Sequence, residues 1–75
     1  MLIVSQWNNT IINLDNTGII EIDEYHQRPF QINIYVNDVW REIGQYATQE
    51  RTKAVLQEIV RAYNSEAKCY YMPEE

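Results

Sequence analysis

His26 is the only histidine in the chain, and a zinc site needs three or four convergent ligands. No second histidine or cysteine stands at ligand spacing from it, so His26 reads as a solvated loop residue and no metal is expected. Arg28, just before Pro29, offers an anion contact, but one cation in a polar loop is a common occurrence. Glu21, Asp23 and Glu24 suggest paired carboxylates. Alternate strand residues point to opposite faces, so Glu21 and Asp23 converge while Glu24 does not, and no metal-binding or water-activating partner stands beside them. They read as a strand charged against edge-to-edge aggregation. The single cysteine, Cys69, has a basic neighbour in Lys68 that could lower its pKa. A catalytic thiol also needs a base and an oxyanion site, which the chain does not offer, so Cys69 reads as a half-buried structural thiol. Ser5 and Ser65 have no triad partners, and Gly18 and Gly44 are too few for a phosphate-cradling loop. The expectation is a non-enzymatic protein with no catalytic residue and no cofactor.

Aromatic side chains remain as the functional pointer. Phe30, Ile32, Ile34 and Val36 alternate with Gln31, Asn33, Tyr35 and Asn37, and strict alternation with β-branched residues marks a strand with one buried face. Asn37-Asp38 then reverses the chain as a two-residue hairpin turn. The resulting register sets Val36 opposite Val39, Tyr35 opposite Trp40, Asn33 opposite Glu42 and Ile32 opposite Ile43. Phe30, Ile32, Ile34, Val36, Val39 and Ile43 then share the apolar face, while Tyr35 and Trp40 meet on the other. Tyrosine and tryptophan are enriched at binding hot spots, and a sheet covered by one helix leaves a face open. Tyr35, Trp40, Tyr70 and Glu42 are the candidate partner-binding residues, with Trp7, Tyr46 and Tyr71 able to join them if the sheet curls. Curling could equally bury these rings inside the subunit.

The elements that must position these residues can be read from pattern and punctuation. Leu2 to Gln6 reads as a short strand, and Asn8-Asn9 as a turn, because asparagine tolerates positive φ. Thr10 to Asp15 is the next strand. Gly18 can take a left-handed position in the turn after Asn16-Thr17, which would place Leu14 opposite Ile20 and Ile12 opposite Ile22. Strand three runs from Ile19 to about Tyr25, and His26 to Pro29 connects it to Phe30. Strand five ends near Tyr46.

Thr48 supplies a helix N-cap with Glu50 in the first turn, where the helix dipole favours a carboxylate. Thr52, Val55, Leu56, Ile59, Val60 and Tyr63 lie on one stripe of a helix over about 48–64. Glu50/Lys53 and Glu58/Arg61 are spaced to pair on the far side. Asn64-Ser65 is the expected end of the helix, since asparagine accepts the left-handed closing conformation better than most residues. Lys68 to Met72 forms a last strand ended by Pro73, with Glu74-Glu75 frayed. The fold class is α+β, a single domain over 1–75, in which an antiparallel meander of five to six strands carries one amphipathic helix on one face. The last strand must return to a sheet edge or pair with another subunit.

Composition bounds the remaining classes. A net charge of −5 opposes the phosphate contacts that dominate nucleic-acid affinity, so no direct nucleic-acid binding is expected. The acids are interspersed with strand residues, which argues against mimicry of a phosphate run. The opening Met1-Leu2-Ile3-Val4 is interrupted by Ser5 and Gln6 far short of a signal or membrane span, so no membrane association is expected. With one cysteine there is no internal disulfide, which points to a reducing compartment, the cytoplasm.

Three runs carry a resemblance: Leu2 to Gln6 with Thr10 to Asn16; Gly44-Gln45-Tyr46-Ala47-Thr48-Gln49-Glu50-Arg51 leading into Lys53 to Ile59; and the closing Tyr70-Tyr71-Met72-Pro73-Glu74-Glu75. They resemble short, mostly uncharacterised proteins carried by phages and mobile elements of Gram-positive bacteria. The resemblance spans both ends and the helix, leaves Asp23 to Gln31 unmatched, and carries over no functional residues. It implies a setting, the cytoplasm of a bacterial host, in which accessory proteins of this size bind and block a host protein, anti-defence inhibitors among them. The expected function is therefore a phage or mobile-element interaction protein acting on a host protein as a homo-oligomer. The alternative is a binding protein that sequesters a small molecule or nucleotide between subunits, with Arg28, Arg41 and Arg61 as anion contacts. A minor virion component is a third reading.

Overall fold

In the computed structural model, residues 1–15, 18–23, 30–36 and 38–75 are described. The expectations for Asn16-Thr17, for Glu24 to Pro29, including His26 and Arg28, and for Asn37 fall outside them. The chain order is β1 (Leu2–Val4), β2 (Ile11–Asn13), β3 (Gly18–Asp23), β4 (Phe30–Val36), β5 (Val39–Tyr46), α1 (Gln49–Asn64) and β6 (Cys69–Tyr71). The α+β class and the single helix stand as the sequence indicates. The strands, however, divide into two three-stranded sheets, β2-β1-β6 and β3-β4-β5, instead of one meander.

The division occurs between β2 and β3. Ile12 lies opposite Ile3 of β1, while Ile20 and Ile22 lie opposite Ile34 and Ile32 of β4. The expected pairs Leu14/Ile20 and Ile12/Ile22 are thus replaced. The physical reason is ladder length: β2 offers only three residues, whereas β4 offers β3 a six-residue register with isoleucine opposite isoleucine. Gly18 also departs from expectation, because no glycine has positive φ. Its small size is required by close approach: a Cβ there would lie 2.6 Å from the Tyr35 carbonyl oxygen. Asn8 does take the left-handed conformation, with φ 57°, and so does Asp38 at the hairpin turn, with φ 65°. β6 runs parallel to β1 on the side away from β2, so the closing strand does return to a sheet edge within the subunit.

The β4-β5 hairpin keeps the expected register at Val36/Val39, Tyr35/Trp40 and Asn33/Glu42, then shifts by one, so that Ile32 faces Gly44 and not Ile43. This bulge explains a parity conflict. Ile43 and Tyr46 are three positions apart, which in a regular strand sends them to opposite faces, yet both are buried in the same core. The extra residue also frees the Ile43 carbonyl, which accepts from the Gln6 N–H at 2.9 Å. Close packing then accounts for Gly44, because a side chain there would meet Met72 and Tyr46 at 3.0 Å.

Helix α1 starts where Thr48 accepts a bond from the Arg51 N–H. Its buried residues are Thr52, Val55 and Ile59, with Leu56 half-buried. Val60 and Tyr63 are exposed although they continue the apolar stripe, because the buried line runs through Thr52, Val55 and Ile59 and these two lie to one side of it. Thr52 is tolerated in the core because its hydroxyl donates to the Thr48 carbonyl at 2.7 Å. The helical ion pair is Arg51–Glu58 at 3.1 Å, two turns apart, in place of Glu50/Lys53 and Glu58/Arg61. The helix ends at Asn64 with Ser65 as the cap, as expected, but the left-handed residue is not Asn64; it is Glu66, with φ 60°. Its N–H bonds Tyr63 and that of Ala67 bonds Ala62, a Schellman closure.

One core joins the two sheets, helix and C-terminal segment: Ile3, Ile32, Ile34, Ile43, Tyr46, Val55, Ile59 and Met72. Residues 73–75 are not a frayed end. Tyr46 donates to the Pro73 carbonyl, Gln6 to that of Glu74 and Arg51 to the main-chain oxygen of Glu75.

Candidate functional site: the outer face of the second sheet

The inner side of β3-β4-β5 carries Ile32 and Ile34 into the core, so the residues between them face outward. Register then places three rows across the strands. Ile19, Tyr35 and Trp40 form the first; Glu21, Asn33 and Glu42 the second; Asp23, Gln31 and Gln45 the third. The first row is open to solvent, with Ile19 59%, Tyr35 36% and Trp40 46% exposed. It forms one continuous apolar and aromatic strip next to a row carrying two carboxylates.

Asn33 sits at the centre and is only 3% exposed, and its Oδ1 has no hydrogen-bond partner. A buried polar atom in this condition costs on the order of 1–3 kcal/mol. Its neighbours across the strands, Glu21 and Glu42, are carboxylates and therefore acceptors, unable to donate to it when ionised. The Glu42 Oε1 is steadied by the Gln45 amide. Desolvation first, and then the charge and hydrogen-bonding reach of Glu21, push the Tyr35 hydroxyl above its ordinary pKa, with Trp40 opposing. The face therefore presents ring faces and oxygen acceptors. Among its described residues there is no lysine or arginine, since register puts Arg41 opposite Ile34 on the other side.

Of the four candidate partner-binding residues, the structure brings Tyr35, Trp40 and Glu42 together. Tyr70 lies in the other sheet opposite Ile3, packs against the core and donates to Glu58 at 2.9 Å. Tyr46 is internal, while Trp7 and Tyr71 are exposed elsewhere on the molecule. Of the three anion-contact candidates, Arg41 is exposed and donates to its neighbour's carbonyl, that of Trp40, and Arg61 stands in the last turn of α1. An open depression of about 550 Å³ is lined by Met1, Tyr63, Asn64, Glu66, Ala67 and Lys68, and neither arginine lines it. Among the described residues no three of His, Cys, Asp and Glu are grouped to hold a metal ion. Likewise no helix among them is long and apolar enough to cross a membrane.

Ile19, Glu21 and Asn33 were not legible as site residues. Alternation does put them on outer faces, but only the β3-β4 register joins them to Trp40, and local turn signals pointed to a β2-β3 hairpin instead. Comparison of the chain with protein-family models, curated proteins and solved structures finds no match.

Proposed function

We propose that this chain is a non-enzymatic binding module that acts by occupying a host protein with the outer face of β3-β4-β5. The observation that carries this reading is the exposed Ile19/Tyr35/Trp40 row, continuous across three strands and bordered by carboxylates. Apolar rows with a polar border are typical of protein interfaces, and Tyr and Trp are the anchors on which affinity concentrates. Resemblance to phage and mobile-element proteins supports blocking of a host factor, anti-defence inhibition included, as the biological setting.

The homo-oligomer belongs to a different surface. On the outer side of β2-β1-β6, Ile11, Leu2 and Tyr71 are 66%, 40% and 67% exposed around Val4, in rows completed by Asn13 and Cys69. These residues carry no charge and suit a second copy, whereas self-association through the Glu21/Glu42 face would set like charges together.

Both assignments are tested by Trp40→Ala and Tyr71→Glu proteins checked by circular dichroism. Expected is native-like folding for both, loss of host-protein capture from bacterial lysate only for Trp40→Ala, and loss of the oligomer in sedimentation only for Tyr71→Glu. Capture that survives Trp40→Ala would refute the binding face.

A further inference from the structure

Resting on that reading of the binding face, we infer that the segment it takes is an arginine-bearing peptide stretch of the partner, its guanidinium laid against the Trp40/Tyr35 rings and shared between Glu21 and Glu42 over Asn33.

Four observations converge on a donor-rich cation. The second row offers two carboxylates flanking one amide, Glu21, Asn33 and Glu42, at a single register level across three strands. Asn33 is almost wholly buried, at 3% exposure, and its Oδ1 lacks any donor. A partner that brings N–H groups over this row supplies what the fold omits once the Asn33 side chain turns outward. The adjoining row is aromatic, and Trp40, nearly half exposed, presents the ring type on which cations sit best. Finally, the whole chain carries −5, so long-range attraction also selects a basic partner.

Arginine fits better than lysine. A planar guanidinium stacks on an indole while its five N–H groups fork toward carboxylates, whereas an ammonium is a compact, strongly hydrated point charge. A second copy of this chain is the wrong occupant for the same face, because Glu21, Asp23 and Glu42 would meet their own counterparts.

The test is selection of a displayed random-peptide library on the immobilised protein, with parallel selections on Trp40→Ala, Glu21→Gln/Glu42→Gln and Asn33→Leu proteins whose circular dichroism is native. Expected is enrichment of arginine next to apolar residues, lost on Trp40→Ala and on the double glutamine variant. A synthetic copy of the enriched peptide should bind about tenfold more weakly when its arginine is replaced by the neutral isostere citrulline. Its binding should also weaken as salt rises. Asn33→Leu should lose the arginine preference while its melting temperature holds or rises, since it removes an orphaned acceptor; if that variant does not fold, the glutamine pair decides.

Peptides without arginine that depend on Trp40 but not on Glu21 and Glu42 would overturn the inference and leave the binding face standing. An absence of any Trp40-dependent enrichment would overturn both.

Discussion

Left-handed backbone is where single residues are most exposed to test. Glu66 closes α1 with φ 60°, a conformation that costs an L-residue with a Cβ roughly 1–2 kcal/mol and glycine almost nothing. Its N–H and that of Ala67 complete the Schellman pattern, so the conformation is required by the chain reversal and not by the side chain. Glu66→Gly should therefore stabilise the protein by about 1 kcal/mol, which in a domain of this size raises the melting temperature by roughly 4–8 °C. Asn64→Gly should lower it, because Asn64 is still helical. If the two substitutions exchanged signs in a thermal scan, the left-handed position would be Asn64, as the sequence alone suggested. The expectation of Asn64 came from residue preference; Glu66 was hidden because the chain reversal after the helix, and not its own residue type, imposes the left-handed conformation on it.

At the scale of elements, the bulge in β5 and Gln6 after β1 form the joint between the sheets. The Gln6 main chain donates to Ile43, and its side-chain amide accepts from the Gln45 N–H at 2.6 Å and donates to the Gln45 carbonyl at 3.0 Å. One glutamine side chain thus satisfies the edge of β5 as a neighbouring strand would, with a further bond to Glu74. Gln6→Leu should remove these side-chain bonds and orphan the Gln45 N–H, destabilising by about 2–3 kcal/mol in urea unfolding. Hydrogen exchange should show Gln45 losing protection before the amides of central β4, and equal loss everywhere would argue against a local joint.

This joint marks the limit of what the sequence makes legible. The hairpin of Phe30 to Trp40, the Thr48 cap and the Val55/Ile59 stripe are dictated by local period and punctuation, and all are found. The bulge, the pairing of β3 with β4 and the parallel placement of β6 are choices among competing long-range partners, which local patterns do not rank.

For the molecule as a whole, stability is held by a seam in which strand, helix and C-terminal segment share two tyrosines. Tyr46 lies 2% exposed in the core and donates to Pro73 at 2.9 Å, while Arg51 sits 6.0 Å above its ring. Tyr70 donates to Glu58, which also receives Arg51, and Arg51 reaches the main chain of Glu75. Burial foremost pushes the Tyr46 hydroxyl up to about 12, Arg51 opposing and Glu58 adding. Burial, then the hydrogen bond and charge of Glu58, push Tyr70 up as well.

Both folded hydroxyls thus hold their protons beyond the pH at which an unfolded tyrosine, near pKa 10, releases its own. At alkaline pH the unfolded chain then binds fewer protons than the native one, and stability falls as pH rises. The contribution is fully present below about pH 9, declines from about pH 10, and for Tyr46 is gone once pH passes its folded value of about 12. Urea unfolding at stepped pH should show a flat region and then this decline, and Tyr70→Phe should make the decline shallower. An alkaline profile that Tyr70→Phe leaves as steep as before would mean that the Tyr70–Glu58 contact does not hold the Tyr70 proton in the folded chain.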